Sequence, residues 1–169
     1  MNDLENQCLI WDNYRQRHIH TWNMLQLAVK HLAETKTTEN SEIQYAWENL
    51  VIRMVIYRYT VKNLVRLKCV NKKANMINKK FDSVFRINGR HVLMALYNVF
   101  KHFDEYKAND RGKELDPYGT ITVEEYNHGT LKLQLSQCIQ AATELRNGAN
   151  YVGHEFIEWY ERESVCGSS

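Results

Sequence analysis

The chain has 169 residues, 20.1 kDa, with 44% apolar and 25% charged residues, a length and composition that suit one globular domain spanning 1–169 and exclude wholesale disorder. Pro117 is the single proline and there are seven glycines, so long uninterrupted helices are favoured over many short strands. The formal charge is only +2, yet Arg53–Arg90 holds eleven basic residues against one acid, Asp82, for +10, and the remainder carries −8. That asymmetry points to an anionic partner such as nucleic acid, provided folding gathers the charges on one face; a solvated helix pair that happens to be basic is the bland reading of the same block.

The richest apolar stretch, Leu50–Tyr59, is interrupted by Arg53 and Arg58, so no membrane span is expected. The N-terminal residues lack the pattern of a signal peptide. Cys8, Cys69, Cys138 and Cys166 are far apart, which argues against a disulfide framework or a zinc site and for a reducing, cytoplasmic setting.

In chain order, Cys8, Trp11, Arg15, His18, Trp22, Leu25, Val29 and Leu32 recur at spacings of three and four and predict a first helix over about 4–34. Arg15 and His18 interrupt its apolar stripe and are expected at the stripe's edge or paired inside. Ser41-Glu42-Ile43-Gln44 has the form of a capping box and predicts a second helix from Ser41 to near Lys68. The polar, basic stretch Asn71–Asn78 reads equally as a short helix or a loop. Val92, Leu96, Val99, Phe103 and Tyr106 predict a helix over about 89–108.

Alternation then replaces helical periodicity. Tyr118–Val123 and Leu131–Leu135 read as the strands of a hairpin at about 118–135, turning at Asn127-His128-Gly129. A last helix begins near Ser136 on the stripe Cys138, Ala142, Leu145, Ala149, Val152, Phe156 and Trp159, with Gly148 and Gly153 as positions of a kink or of close packing. The expected class is mainly α: an antiparallel four- to five-helix bundle with a small β-hairpin before the C-terminal helix.

The chemistry-bearing stretch is Arg90–Tyr106. On a helical wheel with Leu96 at zero, His91, Asn98 and His102 fall at about −140°, −160° and −120°, sharing one arc beside the core. Imidazoles there can carry protons near neutrality, and a carboxamide can position a substrate. A polar flank with no further role is the bland reading of the same arc. No Glu-x-x-His or His pair at i and i+4 accompanies them in this stretch, so neither metal nor cofactor is expected. No phosphate-binding glycine pattern occurs either.

Asn98-Val99-Phe100-Lys101-His102 resembles the core of the HEPN superfamily motif, Arg-(Asn/Asp/His)-x-x-x-His. His102-Phe103-Asp104-Glu105-Tyr106 is also similar to a signature of certain bacterial helical proteins. HEPN domains are small helical bundles, often dimeric, and many are metal-independent ribonucleases of toxin, defence and RNA-processing systems. The resemblance implies His102 as the catalytic acid or base, Asn98 as the positioning residue, a homodimer, RNA as substrate and an antitoxin as partner. His91 would be a second proton carrier.

Tyr97 occupies the motif's arginine position and cannot carry the permanent charge that position supplies. Arg86 and Arg90 are candidates to replace it, and with Lys72, Lys73, Lys79 and Lys80 they are the expected nucleic-acid contacts. Arg86-Ile87-Asn88-Gly89-Arg90-His91 is a second, poorer match to the motif. Tyr57, Tyr59, Phe81 and Phe85 are either stacking platforms for bases or core. The rival reading is a non-catalytic helical interaction module that binds nucleic acid or an acidic protein partner.

Overall fold

The computed structural model describes residues 3–36, 39–101, 121–128 and 131–166. Among them are five α-helices and two two-stranded antiparallel sheets, so the chain is mainly helical. Helix α1 (Asp3–Glu34) packs along α2 (Asn40–Lys62), as a short connection between long helices dictates. A 3₁₀ turn (Asn63–Arg66) follows, then α3 (Asn71–Val84), strands β1 (Arg86–Ile87) and β2 (Arg90–His91), and α4 (Val92–Lys101). Strands β3 (Glu125–His128) and β4 (Leu131–Gln134) lead directly into α5 (Leu135–Cys166). No helix among the described residues is long and apolar enough to cross a membrane.

The core forms where the apolar stripes meet. Leu25, Ala28 and Leu32 of α1 face Trp47, Leu50, Met54 and Tyr57 of α2, with Leu93 and Leu96 of α4 and Leu145, Ala149 and Phe156 of α5 in the same cluster. Trp47 is fully buried, and its Nε1–H donates to the Thr122 carbonyl (2.7 Å), tying the segment before β3 to α2. Buried Gln7 accepts from the Lys68 backbone N–H (2.8 Å) and fixes the chain just after the 3₁₀ turn against the start of α1.

Several expected boundaries move. Helix α2 begins at Asn40 without a side-chain cap, and Gln44 donates to Glu48 (3.1 Å) instead of closing a capping box with Ser41. It ends at Lys62 because the chain tightens into the 3₁₀ turn. The 71–78 stretch is helical; its buried stripe is only Ala74, Asn78 and Phe81, and a buried asparagine hides such a stripe from a hydropathy reading.

The predicted start of the fourth helix at Gly89 is also displaced. Asn88 (φ 50°) and Gly89 (φ 78°) form the tight turn of a hairpin that pairs Ile87 with Arg90 and Arg86 with His91. Two successive positive φ values are what a two-residue hairpin loop requires, and Asn-Gly is its strongest sequence signal. The other hairpin pairs Glu125–His128 with Leu131–Gln134, later than predicted, because Asn127 and His128 belong to the strand. Of the expected strand at 118–123, only a bridge from Ile121 to Tyr126 falls among the described residues.

The two glycines of α5 serve close packing, and the helix runs unbroken through both. A Cβ at Gly148 would lie 2.8 Å from Ile77, and one at Gly153 would lie 2.7 Å from the Trp11 ring. Helices α3 and α1 therefore press directly on the α5 backbone.

Candidate functional site

The basic segment is partly neutralised by acids from distant elements. Lys68 pairs with Asp3 of α1 (2.6 Å), Lys80 with Glu144 of α5 (2.9 Å), and Lys73 with Glu155 of α5. Lys73 also lies over the Tyr151 ring. Among the described residues, Lys62, Arg66, Lys72, Lys79 and Arg86 remain exposed with no ion pair, and Arg90 is exposed at β2. Lys72 and Lys79 are seven residues apart on α3 and share its outward side with Met76, which is 68% exposed. One helical stripe thus presents two unpaired ammonium groups about 10 Å apart along the axis, flanking a flexible apolar side chain.

Arg58 and Asp82, with His91, form a closed node joining α2, the C-terminal end of α3 and β2. The Arg58 guanidinium donates to Asp82 through Nε (2.5 Å) and Nη2 (2.7 Å), joining α2 to α3. His91 Nε2–H donates to the same carboxylate (3.2 Å). Burial pushes the Asp82 carboxyl up, but the hydrogen bonds from Arg58 and His91 outweigh it and hold the group well below the usual aspartate range. Side-chain exposures of 12%, 18% and 14% for Arg58, Asp82 and His91 leave little solvent to screen the pairings.

His91 is not on α4 but at its cap. Its Nδ1 accepts the backbone N–H of Met94, the third residue of the helix (3.4 Å), as an N-cap side chain does. Nε2 as donor and Nδ1 as acceptor make both contacts at once. The ring also stacks on Phe85 at 17° between planes, and the Phe85 carbonyl accepts from Val92 N–H (2.8 Å). The wheel that put His91 in one arc with Asn98 and His102 assumed a helix through residue 91; the Asn88-Gly89 hairpin removes that premise.

Asn98 lies exposed on α4, and His102 lies outside the described residues. Lys101, one helical turn beyond Tyr97, sits over the Tyr97 ring (6.0 Å) and brings a positive charge close to the position where the motif has arginine. The shallow depression at this end of α4 is lined by Ser41, Gln44, Tyr45, Glu48 and Phe100, which include one acid and no base. Arg86 and Arg90 are on the β1–β2 hairpin beside His91, and Lys72, Lys73, Lys79 and Lys80 are on α3.

Of the four aromatics weighed as stacking platforms, Tyr57, Phe81 and Phe85 are core, and Tyr59 is exposed beneath the Arg58 guanidinium (5.4 Å). Cys138 is buried, which pushes its thiol up to about 12 and makes it a packing residue rather than a nucleophile. Among the described residues no three His, Cys, Asp or Glu side chains gather to hold a metal ion. No family model matches the chain, and no curated protein or solved structure is significantly similar to it.

Proposed function

We propose that this chain is a HEPN-like RNA-binding protein, folded as an antiparallel helical bundle, that engages single-stranded RNA through the outward stripe of α3 and the β1–β2 hairpin. The observation that carries this reading is the exposed Lys72–Met76–Lys79 stripe of α3, whose lysines have no ion pair among the described residues, with Arg86 likewise exposed on β1. Phosphates are drawn by exposed ammonium and guanidinium groups without an intramolecular counter-charge, and a flexible apolar side chain between them offers a surface to a base.

Cleavage is the second element of the reading, and it rests on the Asn98–His102 resemblance. The 2′-hydroxyl would attack the adjacent phosphate while His102 takes or supplies a proton, Asn98 positions the phosphate and Lys101 contributes the cation that Tyr97 lacks. His91, with both ring nitrogens already used, is left out. A homodimer neutralised by an antitoxin-type partner follows from the same resemblance, and a cytoplasmic setting from the dispersed cysteines.

A non-catalytic RNA-binding module is favoured by Tyr97, which cannot supply the motif's arginine charge. Incubation of mixed RNA with the wild type and His102→Ala, with and without chelator, separates the two. Chelator-resistant cleavage lost in His102→Ala supports the nuclease. Binding without cleavage by either protein supports the module, and neither binding nor cleavage overturns both.

A further inference from the structure

An open groove of about 290 Å³ runs between α1 and α5 and uses none of the residues assigned above. Its floor is built from the close approach at Gly153, where the Trp11 ring lies directly on the α5 backbone. Tyr14 and Phe156 hold that ring at centroid distances of 5.5 and 5.2 Å. The walls add Ile19 and Ile157, both exposed. Near the lower end of the volumes of small-molecule sites, such a space takes one ring-bearing ligand.

The polar groups include no carboxylate. Arg15 and His18 come from α1, and Asn150 and His154 stand one turn apart on α5. None of the lining residues is acidic; Asp12 pairs loosely with Arg15 (3.7 Å) from outside the lining. His18 is oriented by the Tyr14 hydroxyl on Nδ1 (2.9 Å), with the Tyr57 hydroxyl at 3.5 Å from the same atom. Among the described residues nothing hydrogen-bonds its Nε2. Burial, and next the Arg146 charge, lower its pKa and favour the neutral ring.

A guanidinium, two imidazoles and a carboxamide around a tryptophan suit an oxyanion attached to a flat ring. We propose that the α1–α5 groove binds a nucleotide, with Arg15 and His154 on the phosphate, His18 and Asn150 on polar edges and Trp11 against the base. The ligand chemistry is shared by a free mononucleotide and by one nucleotide of an RNA strand. The proposal rests on different residues from the α3 reading and stands if that reading fails.

The test is calorimetric titration of the full chain with adenosine 5′-monophosphate, adenosine, inorganic phosphate and a short single-stranded RNA, with the histidine ring resonances followed by NMR. The mononucleotide is expected to bind saturably and to shift His18 and His154, with adenosine and phosphate at least about tenfold weaker. Arg15→Ala and His154→Ala, both at exposed positions, should each weaken it about tenfold with unchanged Tm, as expected for one charge-assisted hydrogen bond. RNA that displaces the mononucleotide identifies the strand as the source; RNA that does not leaves the free nucleotide. Absence of saturable mononucleotide binding, or binding that neither substitution weakens, overturns the proposal.

Discussion

Asp82 and His91 are joined by a 3.2 Å contact that makes the only acid of the basic segment the anchor of the α4 cap. Arg58 holds the same carboxylate from α2, so three elements depend on one side chain. Asp82→Asn should leave a poorly solvated guanidinium without its counter-charge and cost about 3 kcal/mol, or about 6–12 °C in Tm. Because folding depresses the Asp82 pKa, its contribution is present above the ordinary aspartate value near 4 and is lost as pH falls below it. Denaturant melts of the wild type and Asp82→Asn should therefore begin to converge as pH falls below about 4 and keep converging as it falls further; a gap that does not narrow between about pH 4 and pH 2 would contradict the assignment.

His91 predicts a chemical test of its own. His91→Ala removes the cap and should cost about 1 kcal/mol, whereas His91→Asn restores an acceptor for the Met94 N–H and should recover part of it. RNA cleavage, once measured, should survive in His91→Asn. A loss of more than about tenfold with an unchanged fold would return His91 to the reacting groups.

Gly153→Ala sets helix propensity against sterics. The methyl gains up to about 1 kcal/mol in an isolated helix, but here it would sit 2.7 Å from a rigid indole pinned between two rings. Net destabilisation of about 1–3 kcal/mol is expected, accompanied by a change in tryptophan fluorescence as Trp11 is displaced. A stabilised variant would mean that α1 does not press on α5 at this point.

Trp47→Phe keeps most of the buried volume but removes the donor to Thr122, leaving that carbonyl without its indole partner. A cost of about 1–3 kcal/mol is expected. Hydrogen exchange should rise in 121–134 more than in α1, because the lost bond ties that segment to α2.

The parts legible in the sequence were those whose periodicity is apolar. The stripes of α1 and α5 and the Leu93/Leu96/Val99 face of α4 read directly as helix. Helix α3 did not, since Asn78 occupies a core position and four lysines dominate the rest. The β1–β2 hairpin was announced by Asn88-Gly89, but the apolar run from Val92 drew the helix back across it. Polar residues that interrupt an apolar helical stripe are expected at its edge or paired inside, and here His18 is half-buried and hydrogen-bonded to Tyr14 while Arg15 is exposed at the edge. What joins Arg15 and His18 to Asn150 and His154 is tertiary, and the only local hint was a glycine one residue before a histidine on α5. The charge block was half informative, because the acids that neutralise Lys68, Lys73 and Lys80 lie on α1 and α5, far away in sequence.

The central claim is that the outward stripe of α3 binds single-stranded RNA, and the direct measurement is fluorescence anisotropy of a labelled single-stranded RNA as a function of salt. The wild type should show log-linear weakening with salt, and Lys72→Ala/Lys79→Ala should flatten that slope by about 1.4, the value for two phosphate contacts on a single strand. Lys73→Ala, which removes a lysine already paired with Glu155, should change the slope far less. An unchanged slope in the double variant, or no salt-dependent binding by the wild type, would contradict the account.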